Sequence, residues 1–292
     1  MRFRKGLSAG LAGTLAVATV VLPAGISLAT SWRPPIRPLS KEERFEMAAS
    51  GSDGVALGTC AGYRDSIAAD GVQWAWMDFR PASWLKGNAG LGQFRVYFPQ
   101  ISDFSRSKAS GRLDHSGSQC LLFLRHVAGS GPDYWVVSEH PEFPGAGLLL
   151  GSEVDTAASS AAARAVAATT PESLARRSEH VVLGELRATS SRIPYDGHPI
   201  RCSEILIQSD LSDPSPPRSM LVYTLFGAPA AGGRAIVMLK QGQGGAFEII
   251  GFSAGLIPVD GQNVPRYTTQ LSPFLDRLRA ARPTVATSPE TK

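Results

Sequence analysis

Two apolar runs joined by a Gly/Pro loop, Gly117 to Ser138 (GSQCLLFLRHVAGSGPDYWVVS), constrain this chain more than any other stretch. Runs of this length bounded by turn residues read as strands buried on both faces, and the short loop between them makes a β-hairpin. The same pattern returns from Gly233 to Ser253 (GRAIVMLKQGQGGAFEIIGFS). Leu121-Leu122-Phe123-Leu124-Arg125 aligns with Ile236-Val237-Met238-Leu239-Lys240, and Tyr134-Trp135-Val136-Val137 aligns with Phe247-Glu248-Ile249-Ile250. The chain therefore reads as mainly β and as two copies of one strand-rich unit.

The residues between the hairpins agree. Ser40-Lys41-Glu42-Glu43 is a capping box that opens a short helix, followed by strands at Gly54–Cys60, Val72–Phe79 and Phe94–Phe98, with Arg80–Asn88 reading as a turn. Residues 102–118 are polar and Ser-rich, the composition of a surface loop. The second unit starts as the first did. Thr170 caps, Pro171 occupies the first helical turn, and Leu183-Gly184 follows the helix as Leu57-Gly58 does. Residues 155–168 hold eight alanines and offer no large apolar face, so they read as an interdomain linker. Ser272-Pro273 opens a last helix whose Phe274, Leu275 and Leu278 share one face, and the chain from Pro283 is a polar tail. The expected division is 1–29 signal, 30–39 extended lead-in, 40–152 first β domain, 153–169 linker, 170–271 second β domain, and 272–292 helix and tail.

Residues 1–29 have the form of an export signal. Arg2, Arg4 and Lys5 precede an apolar stretch, and Ser27-Leu28-Ala29 presents small residues for cleavage; the rival is an uncleaved anchor of similar length. The expected location is thus secreted or periplasmic. The whole chain carries +4, but residues 1–29 hold three basic residues and no acidic one, leaving 26 basic against 25 acidic. A net charge of +1 calls for no nucleic-acid or membrane partner once the signal is gone. In an oxidising compartment Cys60 and Cys120, within one unit, are expected to pair, the alternative being three free thiols, and Cys202 is left over as a weak pointer to dimerisation.

Five short strands in about a hundred residues fit a small closed barrel or a two-sheet sandwich. The order helix, Gly-punctuated strand, strand ending in Leu85-Lys86-Gly87, aromatic strand, polar loop and closing hairpin resembles the exported netrin-like barrels of the tissue-inhibitor-of-metalloproteinases type. Val55 to Cys60, Leu85 to Gly87 and Cys120 to Leu124 carry the resemblance, with Val181 to Leu186 and Ile236 to Leu239 in the second unit. It implies two tandem five-stranded barrels of the OB class, with sandwiches as the alternative, and raises protease inhibition as a function. The inhibitors of that family insert an N-terminal cysteine into a protease's zinc site, and no cysteine lies near residue 30.

Chemistry is sparse. Gly251-Phe252-Ser253-Ala254-Gly255 matches the G-x-S-x-G elbow of hydrolases, but Leu256-Ile257-Pro258 blocks the helix such an elbow needs. None of the five histidines, His115, His126, His140, His180 and His198, is spaced for a metal, so no metal or cofactor is expected. Glu139-His140-Pro141-Glu142 is the sole acid/His cluster on an expected loop. Trp74 and Trp76 share a strand face and, with Trp84, form a candidate binding surface, for which core packing is the plainer role. The expected function is non-enzymatic binding of a protein or cell-envelope component. The alternatives are a hydrolase using Ser253 or the 139–142 loop, and a protease inhibitor.

Overall fold

The computed structural model describes residues 35–69, 72–87, 92–99, 118–126, 134–136, 148–150 and 154–282. The expected signal at 1–29, most of the Ser-rich loop, the Glu139–Glu142 cluster, His115, and the tail from residue 283 lie outside them, as does the side chain of Trp74.

The chain opens with α1 (Lys41–Gly51), started by the expected capping box, in which the Ser40 hydroxyl accepts from the Glu43 amide and the Glu43 carboxylate accepts from the Ser40 amide. Six strands follow: β1 (Gly54–Ala69), β2 (Val72–Lys86), β3 (Phe94–Pro99), β4 (Ser118–His126), β5 (Tyr134–Val136) and β6 (Leu148–Leu150). β1 pairs with β2 on one side and β4 on the other, while β5 pairs with both β3 and β4. The expected hairpin is thus the β4–β5 pair, and Leu121 to Leu124 are all fully buried. The turn expected from Arg80 is strand as far as Lys86: β2 continues there, pairing Ala56 with Trp84 and Val55 with Lys86. Pro81 is accommodated there because it sits opposite Gly58 beside a register shift, where the pairing already departs from a regular ladder.

Between the halves lie α2 (Thr156–Ala168) and α3 (Pro171–Arg177). The alanine stretch was expected to lack a packing face, and the structure corrects this. Ala158, Ala162 and Ala165 are buried against Phe45, Val55, Leu121 and Phe123. Their small side chains bring α2 close to α1, so area is gained by approach, not by side-chain size.

The second half adds β7 (His180–Tyr195), β8 (His198–Asp210), β9 (Ser219–Tyr223), β10 (Arg234–Gln241), β11 (Phe247–Ile249) and β12 (Leu256–Val259). The order β7–β8–β9–β11–β10–β7 closes a five-stranded barrel, antiparallel except at β9–β11. β11 and β12 divide one edge of β10 between them, so the sheet has six strands, of which the expected five close the barrel and β12 lies outside it. Val182, Leu186, Ile205, Val222, Val237 and Leu239 fill the barrel. Its outer face carries Val181, Leu183, Ile236 and Met238, covered by Leu174 of α3 and by Phe274 and Leu278 of α4 (Leu271–Ala281). That last helix starts at Leu271 with Gln270 as its cap and no side-chain cap bond, so Ser272 lies inside the first turn and not at the cap where the sequence put it. The two-stranded β13 (Asn263–Val264) and β14 (Thr269–Gln270) fixes this start, since the Leu271 amide donates to Gln262.

Two glycines set the bend in the long hairpins. A Cβ on Gly58 would lie 2.2 Å from the Arg80 carbonyl oxygen, and one on Gly184 would lie 2.4 Å from that of Leu206. Both residues sit at a register shift, between Leu57 and Gly58 and between Leu183 and Gly184.

Candidate functional site

The hydroxyl of Ser253 is committed to a contact between the halves. Gly251 in a left-handed conformation turns the chain out of β11 into a single 3-10 turn, Phe252–Gly255, and β12 follows at once where a hydrolase would place a helix. Ser253 Oγ lies 3.0 Å from Ser50 Oγ on α1. Arg266 clamps the same place by donating to the carbonyls of Ser253 and Ser50. Around it, Leu39 and Met47 pack with Leu225, Phe226 and Phe252.

A pair that sequence reasoning missed stands at the start of β7. His180 Nδ1 lies 2.6 Å from Asp210 Oδ2, and the Asp210 side chain is fully buried. The Ser212 amide donates to Asp210 Oδ1, and the Phe247 ring meets the imidazole edge-on. Arg282 stands nearby: burial lowers it from the ordinary arginine value, and the charge of Asp210 opposes that. An imidazole oriented by a buried carboxylate is the base half of a nucleophile-activating group. Among the described residues no hydroxyl or thiol hydrogen-bonds to its other ring nitrogen, so the arrangement lacks a nucleophile there. The signal that could have found it is the hairpin register, because Val182 opposite Asp210 sets His180 beside the end of β8.

Trp84 and Trp76 lie in different environments. Trp84 is half-buried, stacks on Phe94 at 5.8 Å and packs against the cluster of Met77, Phe79, Leu122 and Leu124. Its ring also lies over Gly54, where an added Cβ would come within 2.8 Å. Trp76, also half-buried, has the Arg95 guanidinium 4.2 Å from its ring centroid, a cation–π contact beside the exposed Arg95. Of the two whose side chains are described, Trp76 has a cation over its ring and Trp84 packs against the core.

Cys60 and Cys120 are disulfide-bonded, with both residues fully buried among the first half's core. Cys202 is free and buried at 1 % exposure, where burial raises its thiol above the ordinary value. It lies under Ile193, Tyr195, Tyr223 and Ile36, so an intermolecular bridge through it would require this cluster to open. Among the described residues no three His, Cys, Asp or Glu gather as metal ligands, and no helix is long and apolar enough to cross a membrane. Comparison with protein-family models, with curated proteins and with solved structures finds no match.

Proposed function

We propose that the chain is an exported protein built from one helix–barrel–helix unit twice in tandem, and that it works by binding a protein or cell-envelope component without catalysis. Shared register is the observation that supports the duplication. The same spacing, 126 residues, separates Gly58 from Gly184, Phe79 from Ile205 and Phe94 from Met220, and Phe79 opposes Cys60 and Phe94 as Ile205 opposes Leu186 and Met220. Buried Ser52 and Ser178 each donate to a carbonyl at the end of the preceding helix, and the acids after them, Asp53 and Glu179, donate their amides to Leu124 and Leu239. In both halves the fifth strand pairs in parallel with the third. A second barrel in the first half, of the netrin-like kind, follows from this reading, since β1–β2–β3–β5–β4 returns to β1.

Binding is favoured over hydrolysis by the use the fold makes of its polar groups. Ser253 holds α1 to the second half, and the position of Asp210 is filled in the first half by Trp84 at the same 126-residue spacing. Trp76 corresponds in this way to Cys202, a position that Ile36 covers from within the chain. A partner segment laid over Trp76 and Arg95 would use the first half's face as Ile36 uses the second's.

Three measurements test the proposal. Material recovered outside the cytoplasm should begin at Thr30; recovery inside with Met1 intact would overturn export. Tryptophan emission should shift saturably on titration with solubilised envelope fractions, and the shift should vanish in Trp76→Ala. Labelling by a fluorophosphonate probe that is lost in Ser253→Ala would establish the hydrolase instead.

A further inference from the structure

The β7–β8 hairpin runs past the barrel as a two-stranded arm. β10 pairs with β7 only as far as Glu185, and β9 pairs with β8 only from Ser203, so Arg192–Arg201, Ile193–Ile200, Pro194–Pro199 and Tyr195–His198 pair with each other alone. One face is anchored, with Ile193, Tyr195 and Cys202 buried against Tyr223, Ala246 and Ile36. The tip is a tight Asp196-Gly197 turn with φ of 47° and 80°, the form that holds a two-residue hairpin in register. The outer face carries the exposed Arg192, Pro194, Pro199 and Arg201.

Charge on that face departs from the rest of the protein. Four described cross-strand registers oppose two charged residues of unlike sign: Asp78–Arg95, Arg187–Glu204, Glu185–Arg234 and Lys240–Glu248. Arg192 directly opposes Arg201, and neither has a hydrogen bond or ion pair among the described residues. Like charges at directly opposed sheet positions destabilise the pair. The fold does not require them, because the arm is anchored through its other face.

We infer that the outer face of this arm is a docking surface for phosphate groups carried on an anionic polymer. Each guanidinium fork matches a phosphate's paired oxygens bidentately, and consecutive phosphates on one chain present such pairs in a row to two forks on neighbouring strands. A flat exposed face gives a single small ion no walls, so the ligand is a chain that supplies several phosphates. Pro194 and Pro199 lack the amides that strand addition by a peptide would use. The inference is independent of the tryptophan surface, which lies in the other half.

The test is binding of labelled linear polyphosphate to the full mature chain at two salt concentrations. The wild type should bind, and more weakly as salt rises. Arg192→Glu and Arg201→Glu should each lower affinity about tenfold or more and reduce the salt slope by about one. Arg201→Glu should at the same time raise the melting temperature, because it restores an unlike-charge pair; a merely structural arginine would lower it. Trp76→Ala should leave polyphosphate binding unchanged, which separates failure here from failure of the envelope-binding proposal. Unaltered binding in the Arg192→Glu/Arg201→Glu double variant, equal binding of polyglutamate, full competition by inorganic phosphate at matched phosphate concentration, or a lower melting temperature for Arg201→Glu would each overturn the inference.

Discussion

Removing the Cys60–Cys120 bridge should destabilise the first half selectively, and the size of the effect follows from chain entropy. The bridge closes a loop with a sequence separation of 60. In the loop-closure model this restricts the unfolded chain by about 14 cal/mol/K, or about 4 kcal/mol at room temperature. The Cys60→Ala/Cys120→Ala variant should lose that amount, a large share of the stability of a typical domain. All five tryptophans, Trp32, Trp74, Trp76, Trp84 and Trp135, precede residue 136, so tryptophan emission during urea unfolding reports the first half while far-UV dichroism reports both. The emission midpoint should fall well before the dichroism signal is lost. The second half fills the corresponding places with Leu186 and Ala235, both inside its core. Cys60→Leu/Cys120→Ala should therefore recover about 1–2 kcal/mol relative to the alanine pair, through added apolar burial. An emission midpoint that does not move, or a leucine variant less stable than the alanine one, would refute the reasoning.

Gly184→Ala places a Cβ 2.4 Å from the Leu206 carbonyl oxygen, and backbone cannot yield as a side-chain tip can. It should cost about 3 kcal/mol, read as a lower thermal midpoint; an unchanged midpoint would mean the bulge relaxes freely. Phe274→Ala empties a fully buried place beside Tyr267, whose ring lies 5.0 Å away, and should cost about 4 kcal/mol in chemical denaturation. The bidentate hydrogen bonds from Arg37, with the capping amide of Ser40, hold the Glu43 carboxyl at about 2. Since that lies below the unfolded value of about 4.3, the stabilisation is present above pH ~4.3 and is lost as pH falls toward 2. Solvent reaches both Arg37 and Glu43, so the screened contribution is about 1 kcal/mol, and Glu43→Gln should flatten the acid limb of the stability curve by that amount.

What could be read from sequence was what depends on near neighbours. The two closing hairpins announced themselves because strands buried on both faces need continuous apolar runs, as at Leu121–Leu124 and Ile236–Leu239. Ser40 and Thr170 marked helix starts because a cap is a contact across three residues. The alanine helix was missed because its packing depends on how near α1 approaches, which composition does not state. The continuation of β2 through Pro81 was missed because proline punctuates a strand unless its partner has a bulge at that point. Register hid the two polar features as well. His180 meets Asp210, and Arg192 meets Arg201, only because a long hairpin folds back on itself, and Ser253 finds Ser50 across most of the chain.

That last contact bears on how far the halves can behave as separate bodies. The stretch from Ile36 to Ser50 belongs by sequence to the first half, and α1 covers that half's β1 and β4 through Phe45, Ala48 and Ala49. Its other side lies on the second half. The Ile36 amide donates to the Leu225 carbonyl at 2.7 Å, Leu39 and Met47 are buried with Leu225, and Ser50 meets Ser253 and Arg266. Arg177 of α3 adds a rim contact to Glu46 at 3.6 Å. A helix whose two faces are buried by different halves cannot leave one without exposing apolar surface toward the other, at about 25 cal/mol for each Å² uncovered. Such a helix makes the angle between the halves a property of packing instead of linker length. With that angle held, the Trp76 side of the first half and the Arg192–Arg201 arm of the second keep one spacing.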